Sequence, residues 1–421
     1  MGGERLADIF DPRTYARGIP YDTFRWLRDH DPVTWVEEHE VLDWPAGPGF
    51  WAITRYDDVV EVTRTPQAFS SRLGATQIRD PDPADLPFIR RMMLNMDPPE
   101  HQRLRRIVSR IFTPRRVEKF AHDVEERARR LIDGIVEHGE CDFTVQVSDD
   151  FPLLNLCDVM GVPESDRHLL LYWTNRIIGY QDPDHAEVEY GPDGKPINPR
   201  SPAALADMFA YAQELARYKK EHPGDDVISA LAHAQVEGRG LSDAEYEMFF
   251  FLVSVAGNDT VRSGVPGGML AFIENLGELR RLLDDPDLLP TAVDEVLRYA
   301  PPVISFRRTA TRDFELRGKH ISGGDKVVVF YASANRDERQ FTDPDRFDIG
   351  RTANDHVAFG DGPHVCLGAH FARLQLEIFF REALWRLRDL ELAGPVDRLT
   401  SNFIAGIKHL PLRFTPASPG R

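Results

Sequence analysis

The chain is sparing with cysteine, with positive charge and with long apolar runs. Its 3 cysteines, at 141, 157 and 366, are odd in number and too few for a disulfide framework, which argues for a reducing compartment. Lys and Arg number 51 against 68 Asp and Glu, a net charge of −17, and so acidic a surface argues against nucleic acid as a partner. No apolar run comes near the roughly 20 residues that span a bilayer; the richest, 249–256, is far too short. The first residues lack a signal peptide's apolar core, and Leu6 stands where myristoylation wants Ser or Thr. The expectation is a cytoplasmic protein with no membrane anchor. Repeats and low-complexity tracts are lacking too, whereas the 42% hydrophobic content suffices for a large core.

One stretch organises the rest. Residues 359–368 read Phe-Gly-Asp-Gly-Pro-His-Val-Cys-Leu-Gly, and 367–390 reads as a long amphipathic helix with Phe371, Leu374, Ile378, Leu384 and Leu387 on one side. A thiol just before a helix faces unpaired N–H groups and the positive end of the macrodipole, which favour the thiolate at Cys366. Gly360, Gly362 and Gly368 remove Cβ atoms where the backbone turns or lies against something large and flat. His364 can donate to an anion nearby. A lone cysteine is ordinarily a small buried hydrophobe; six positions fixed at one spacing before a helix are not ordinary.

The second informative element is a helix expected over 242–276, opened by a capping box at Ser242 and Glu245. Phe249 to Val253 is apolar all round and so belongs in the interior. Then come Ala256, Gly257, Asn258, Asp259 and Thr260. Gly257 weakens a helix by about 1 kcal/mol, which points to something bulky close by, and Thr260 could open the hydrogen-bond ladder. Alternatively, Thr260 simply bonds back to a carbonyl. Pro266 should disturb the helix near Arg262.

The cysteine string resembles the heme-binding loop of the cytochrome P450 family, the heme-thiolate monooxygenases. The resemblance implies heme b (iron protoporphyrin IX) with Cys366 as the axial iron ligand, and Phe359, Gly360 and Gly368 in the cofactor cradle. Ala256 to Thr260 resembles the family's oxygen-activation motif, in which Asp259 and Thr260 deliver protons. Glu295 and Arg298 match its Glu-x-x-Arg helix, closed into a structural network by Arg346 of Pro344-Asp345-Arg346-Phe347. His101 and Arg105, Arg308 and His364 match its propionate-binding positions; strand alternation lets only one of Arg307 and Arg308 face the heme, and the match selects Arg308. Family layout puts Phe88, Met92, Met93, Val253, Ala256, Val303, Ile304, Phe306, Phe403 and Ile404 around the substrate, nearly all apolar.

The family implies a mainly α fold with a small β subdomain, one domain over 1–421, and a long central helix crossing the heme. Residues 70–98, rich in proline, and an insertion over 181–202 are expected as substrate-access elements. The expected reaction is hydroxylation of an unactivated C–H in a terpenoid, steroid or branched lipid, using dioxygen. Arg103, Arg105, Arg106, Arg110, Arg115, Arg116 and Lys119 make a basic patch on an acidic chain, suited to an acidic ferredoxin served by its reductase. Two alternatives stay open: a heme-thiolate enzyme of desaturation, epoxidation or ring coupling, and a non-catalytic heme sensor or carrier.

Overall fold

In a computed structural model, which describes residues 6–42, 44–178, 181–182, 201–235 and 238–420, the chain is mainly helical with small sheets. The central helix, Asp243–Glu274, begins on the expected capping box. Glu245 N donates to Ser242 Oγ at 3.3 Å, and Ser242 N donates to Glu245 Oε2 at 2.9 Å. Helices Asp150–Met160, Arg167–Ile178, Ala206–Glu221, Leu289–Tyr299 and Ala369–Arg386 all lie against it. Phe249, Phe250 and Phe251 are buried among them in the largest core cluster, as apolar residues on every side of a helix demand.

The expected disturbance at Pro266 does not occur. The helix runs on, and the carbonyl that Pro266 cannot serve, that of Arg262, accepts from Ser148 Oγ at 3.0 Å. A neighbouring hydroxyl replaces the missing N–H. The helix read over 367–390 is shorter than expected, Ala369–Arg386, because Arg388–Leu392 is a strand paired with Pro411–Thr415. Sheet hydrogen bonds between segments distant in sequence, such as Arg388 opposite Thr415, override a local helical period there.

The main sheet orders its strands Val33–Val36, Phe50–Ile53, Lys326–Phe330, Ser305–Ala310 and Phe69–Ser70. The first two form the expected hairpin, Val33 opposite Ile53. Lys326–Phe330 is buried at every position: Val328 and Phe330 enter one core cluster, Val327 and Val329 another. An apolar run without alternation is what a strand covered on both faces needs.

Segment 70–98 is tied at both ends. Asp97 accepts from Ser71 N at 2.8 Å and from Ser70 Oγ. Asp80 pairs with Arg307 at 2.6 Å and Lys326 at 2.7 Å, and Lys326 also meets Glu38 at 2.7 Å, deep in the sheet. Between these clamps lie a short helix, Leu86–Ile89, and a tight turn, Met93–Asn95. The insertion expected over 181–202 lies outside the described residues, apart from its first two and last two. Buried Asp182 accepts from Thr400 N at 2.8 Å, tying that end to the C-terminal turn. Among the described residues no helix is long and apolar enough to cross a membrane.

Candidate active site

The cysteine loop is braced from several sides. Val357 N donates to Asn335 Oδ1 at 2.8 Å, and Cys366 N donates to Phe359 O at 2.8 Å, closing the loop on itself. Gly360 and Gly362 have φ of 71° and 69°, and a Cβ on Gly362 would stand 2.6 Å from the Thr63 carbonyl. A side chain is excluded there on both counts. Arg64 pairs with Asp361 at 2.9 Å.

Cys366 borders accessible space, yet the surrounding protein is dense: burial pushes its thiol up, against the pull of Gly368 N–H, Arg105 and Arg373. Helix Ala369–Arg386 starts three residues after the cysteine, and Gly368 N–H is among the groups that favour the charged sulfur. Cys141 and Cys157 are buried and pushed up to about 12, which makes them inert.

Four basic side chains converge near this loop. The His101 and His364 rings are 4.0 Å apart. Buried Arg308 feels the Tyr331 hydroxyl and donates to Arg307 O at 2.8 Å, while Arg307 turns the other way to Asp80. Arg105 Nη2 donates to Val365 O at 2.6 Å. Burial, with Arg105 and Arg308 nearby, brings His101 down to about 4; burial, Arg308, His101 and Arg105 bring His364 down to about 2. Asp97 acts on His101 in the opposite sense, and Ser71 Oγ stands 3.3 Å from His364 Nε2. Such a cluster is short of negative charge, and His101 Nδ1 is buried without a hydrogen-bond partner.

On the central helix, Ala256 is exposed although Ser254, Asn258 and Asp259 are buried, so accessible space borders this face. Thr260 is half-buried one turn on, its hydroxyl bonded back to Ala256 O at 2.9 Å. The ladder is not opened. Something bulky does lie close to Gly257: a Cβ there would meet Leu156 Cδ1 at 2.8 Å, so the glycine admits helix Asp150–Met160. Asp259 is buried, and its carbonyl accepts from Ser263 Oγ at 2.8 Å.

Glu295 and Arg298 are wholly buried and bidentate, 2.8 Å at both contacts. Arg298 also donates to Asn335 O, Pro344 O and Arg346 O. The third side chain of this network is not Arg346, which is 61% exposed and brings only its carbonyl. Arg351 takes that place, 3.2 Å from Glu295 Oε2. Nothing in the string Asp348-Ile-Gly-Arg351 marked it. Also unforeseen were Asn335, Tyr331 and the contacts of Arg373.

Of the expected pocket residues, Val303, Phe306 and Phe403 are half-buried and adjacent: Phe306 meets Phe403 at 5.4 Å, and Val303 bridges Ile404. Val253 and Ile404 are buried more deeply. Ile304 is removed from this group. It is fully buried in the core cluster of Phe24 and Phe330, because strand alternation turns it away from Val303. Phe88 and Met92 are half-buried rather than exposed, Met93 is buried, and Phe88 sets its ring 5.8 Å from Phe209.

The fold and site together define a heme-thiolate type of oxidoreductase, and comparison with known proteins agrees. The family model for cytochrome P450 matches residues 281–398. The chain is 38% identical to a steroid C26-monooxygenase of Mycobacterium tuberculosis, covering 98% of this chain and 93% of the relative. It is 40% identical to a methyl-branched lipid omega-hydroxylase of the same species, covering 93% and 90%. A Mycobacterium marinum cytochrome P450 solved with pseudoionone superposes with a TM-score of 0.85 at 36% identity, covering 98% of this chain and all of that one. The chain belongs to the cytochrome P450 family and is a monooxygenase with heme b as cofactor. The residues present fit that cofactor. An anion-deficient cluster of His101, Arg105, Arg308 and His364 suits two propionates, and a Cβ added to Gly368 would meet nothing within 4 Å.

Proposed function

We propose that Cys366 is the axial ligand of heme iron, that His101, Arg105, Arg308 and His364 hold the propionates, and that the chain works as one catalytic domain. The carrying observation is the convergence of those four basic groups from three separate parts of the sequence, beside a loop whose Cys366 feels Arg105. When bound, thiolate-ligated heme supplies the activation of dioxygen. The chain's own residues do the rest. Glu295, Arg298 and Arg351 hold the loop from behind, and the buried Asp259 carboxyl and the Thr260 hydroxyl supply protons toward the space that Ala256 borders.

The substrate is a terpenoid, steroid or branched lipid, hydroxylated at an unactivated C–H. Support comes from the half-buried apolar set Phe88, Met92, Val303, Phe306 and Phe403, and from the substrates named for the relatives. Exposed Arg106, Arg110, Arg115 and Arg116 suit an acidic ferredoxin as electron donor. Arg103 and Lys119 are engaged with Glu245 and Asp225. Three free cysteines accord with work in a reducing cytoplasm.

Spectral titration of the heme-loaded protein with a panel of apolar compounds tests the substrate class. Steroids and branched lipids are expected to displace water from the iron, shifting its spin state; response only to polar compounds would overturn the class. Thr260→Ala is expected to keep heme and substrate binding while diverting electrons from product to peroxide. Unchanged coupling would remove Thr260 from proton supply.

A further inference from the structure

Arg373 stands four residues inside helix Ala369–Arg386, seven after Cys366. Its guanidinium carbon lies 4.6 Å from the centroid of the Phe359 ring, and its Nε donates to Asp294 Oδ1 at 2.8 Å. Asp294 is steered in turn by His356, whose Nε2 is 3.4 Å from the same oxygen. The His356 tautomer is set by the backbone. Ala358 N donates to His356 Nδ1 at 3.3 Å, so Nδ1 carries the lone pair and Nε2 carries the hydrogen. The imidazole side chain is 3% exposed, whereas Asp294 and Arg373 are 36% and 38% exposed.

The chain of contacts ends on the cysteine. Phe359, whose ring Arg373 covers, offers its carbonyl to Cys366 N at 2.8 Å. A cation held over an aromatic face is attracted by the ring quadrupole and fixes the ring's orientation. The ion pair spends only the Nε edge of the guanidinium, leaving its face for Phe359. A second cation stands close to the cysteine from another helix, Arg105, whose Nη2 donates to Val365 O at 2.6 Å. Asp294 immediately precedes Glu295, so this arrangement is rooted on the same helix as the network bracing the loop.

We infer that Arg373, oriented by Asp294 and His356, is a positioning residue for the axial sulfur, holding Phe359 and the carbonyl that fixes the Cys366 amide while placing a positive charge beside the ligand. This rests on the reading of Cys366 as ligand. A cation there draws electron density from the sulfur and favours the reduced iron, so its removal lowers the heme midpoint potential. Removing the Asp294 charge does the reverse.

The test uses heme-loaded parent, Arg373→Met, Arg373→Lys and Asp294→Asn proteins. It reads the midpoint potential, the Soret band of the reduced carbon monoxide complex, and the rate at which that band decays to the blue-shifted form of detached sulfur. Arg373→Met is expected to move the potential negative and speed the decay several-fold. Asp294→Asn should move the potential positive. Arg373→Lys should restore the potential but not the slow decay, since an ammonium does not lie flat on the ring. Loss of heme or thermal stability with potentials and decay unchanged in the surviving fraction would overturn the inference. So would slower reduction by a ferredoxin at unchanged potential, which would make Arg373 a docking residue only. A parent protein lacking the sulfur-ligated band would instead overturn the reading beneath it.

Discussion

Residues 356–368 and residues 70–98 are both irregular, and both border the candidate site, but they are held by different kinds of force. The cysteine loop is fixed by directional contacts that need particular groups: Asn335 on Val357 N, Arg64 on Asp361, the Phe359 carbonyl on Cys366 N, and Glu295 with Arg298 behind. Segment 70–98 is pinned to the rest of the fold through Asp80 and Asp97, and inside it Arg90 donates to its own Arg72 and Leu73 carbonyls at 2.8 Å. Its middle rests on apolar surfaces, with Phe88 against Phe209 and Met93 in the main core. Directional contacts tolerate few substitutions, whereas dispersion contacts accept any apolar side chain of similar volume. One molecule therefore carries a rigid, recognisable chemistry beside a wall whose shape is free to differ.

The sharpest way to break this contrast is to remove a buried charge behind the loop. Arg298→Met leaves Glu295 without its bidentate partner and takes the Arg298 donor from the Asn335 and Pro344 carbonyls, and is expected to cost about 3–5 kcal/mol in denaturant unfolding, with heme lost first. Next comes the pair that corrects the network's membership. Arg351→Ala should cost about 2–3 kcal/mol, while Arg346→Ala, on an exposed side chain, should cost under about 0.5 kcal/mol. Equal effects would restore Arg346 to the network. On the other wall, Asp80→Asn leaves Lys326 paired with Glu38 and takes from Arg307 the carboxylate it meets at 2.6 Å. Because Asp80 is half-exposed, the expected cost is about 1–2 kcal/mol, with faster proteolytic nicking over 81–96 and no change in the Soret band. The smallest effect is expected of Phe88→Leu, about 1 kcal/mol or less, with a changed rank order of apolar ligands in spectral titration.

Legibility in the sequence followed the same division. Glu295 and Arg298 stand in a string that the family resemblance singled out, and they are buried as a pair; the capping box at Ser242 marked the start of the central helix. What escaped was set by partners far along the chain. Arg351 reaches Glu295 across 56 residues, and Ser148 serves a carbonyl 114 residues away, so no local pattern announces either. Gly257 was legible as a close approach but not as an approach by Leu156, because a missing Cβ does not say what fills its place. Ile304 was misplaced for a simpler reason: its neighbours Val303 and Phe306 border the pocket, and a run of apolar residues hides the alternation that turns one of them away. The end of the helix read over 367–390 was lost to a strand pairing that apolar spacing cannot report.

The central claim concerns one sulfur, and carbon monoxide binding to the reduced, heme-loaded protein tests it most directly. The parent is expected to show the red-shifted Soret band that thiolate ligation produces, and Cys366→His is expected to lose that band while retaining heme and helical content. A parent without the band, or a Cys366→His variant that keeps it, would contradict the account.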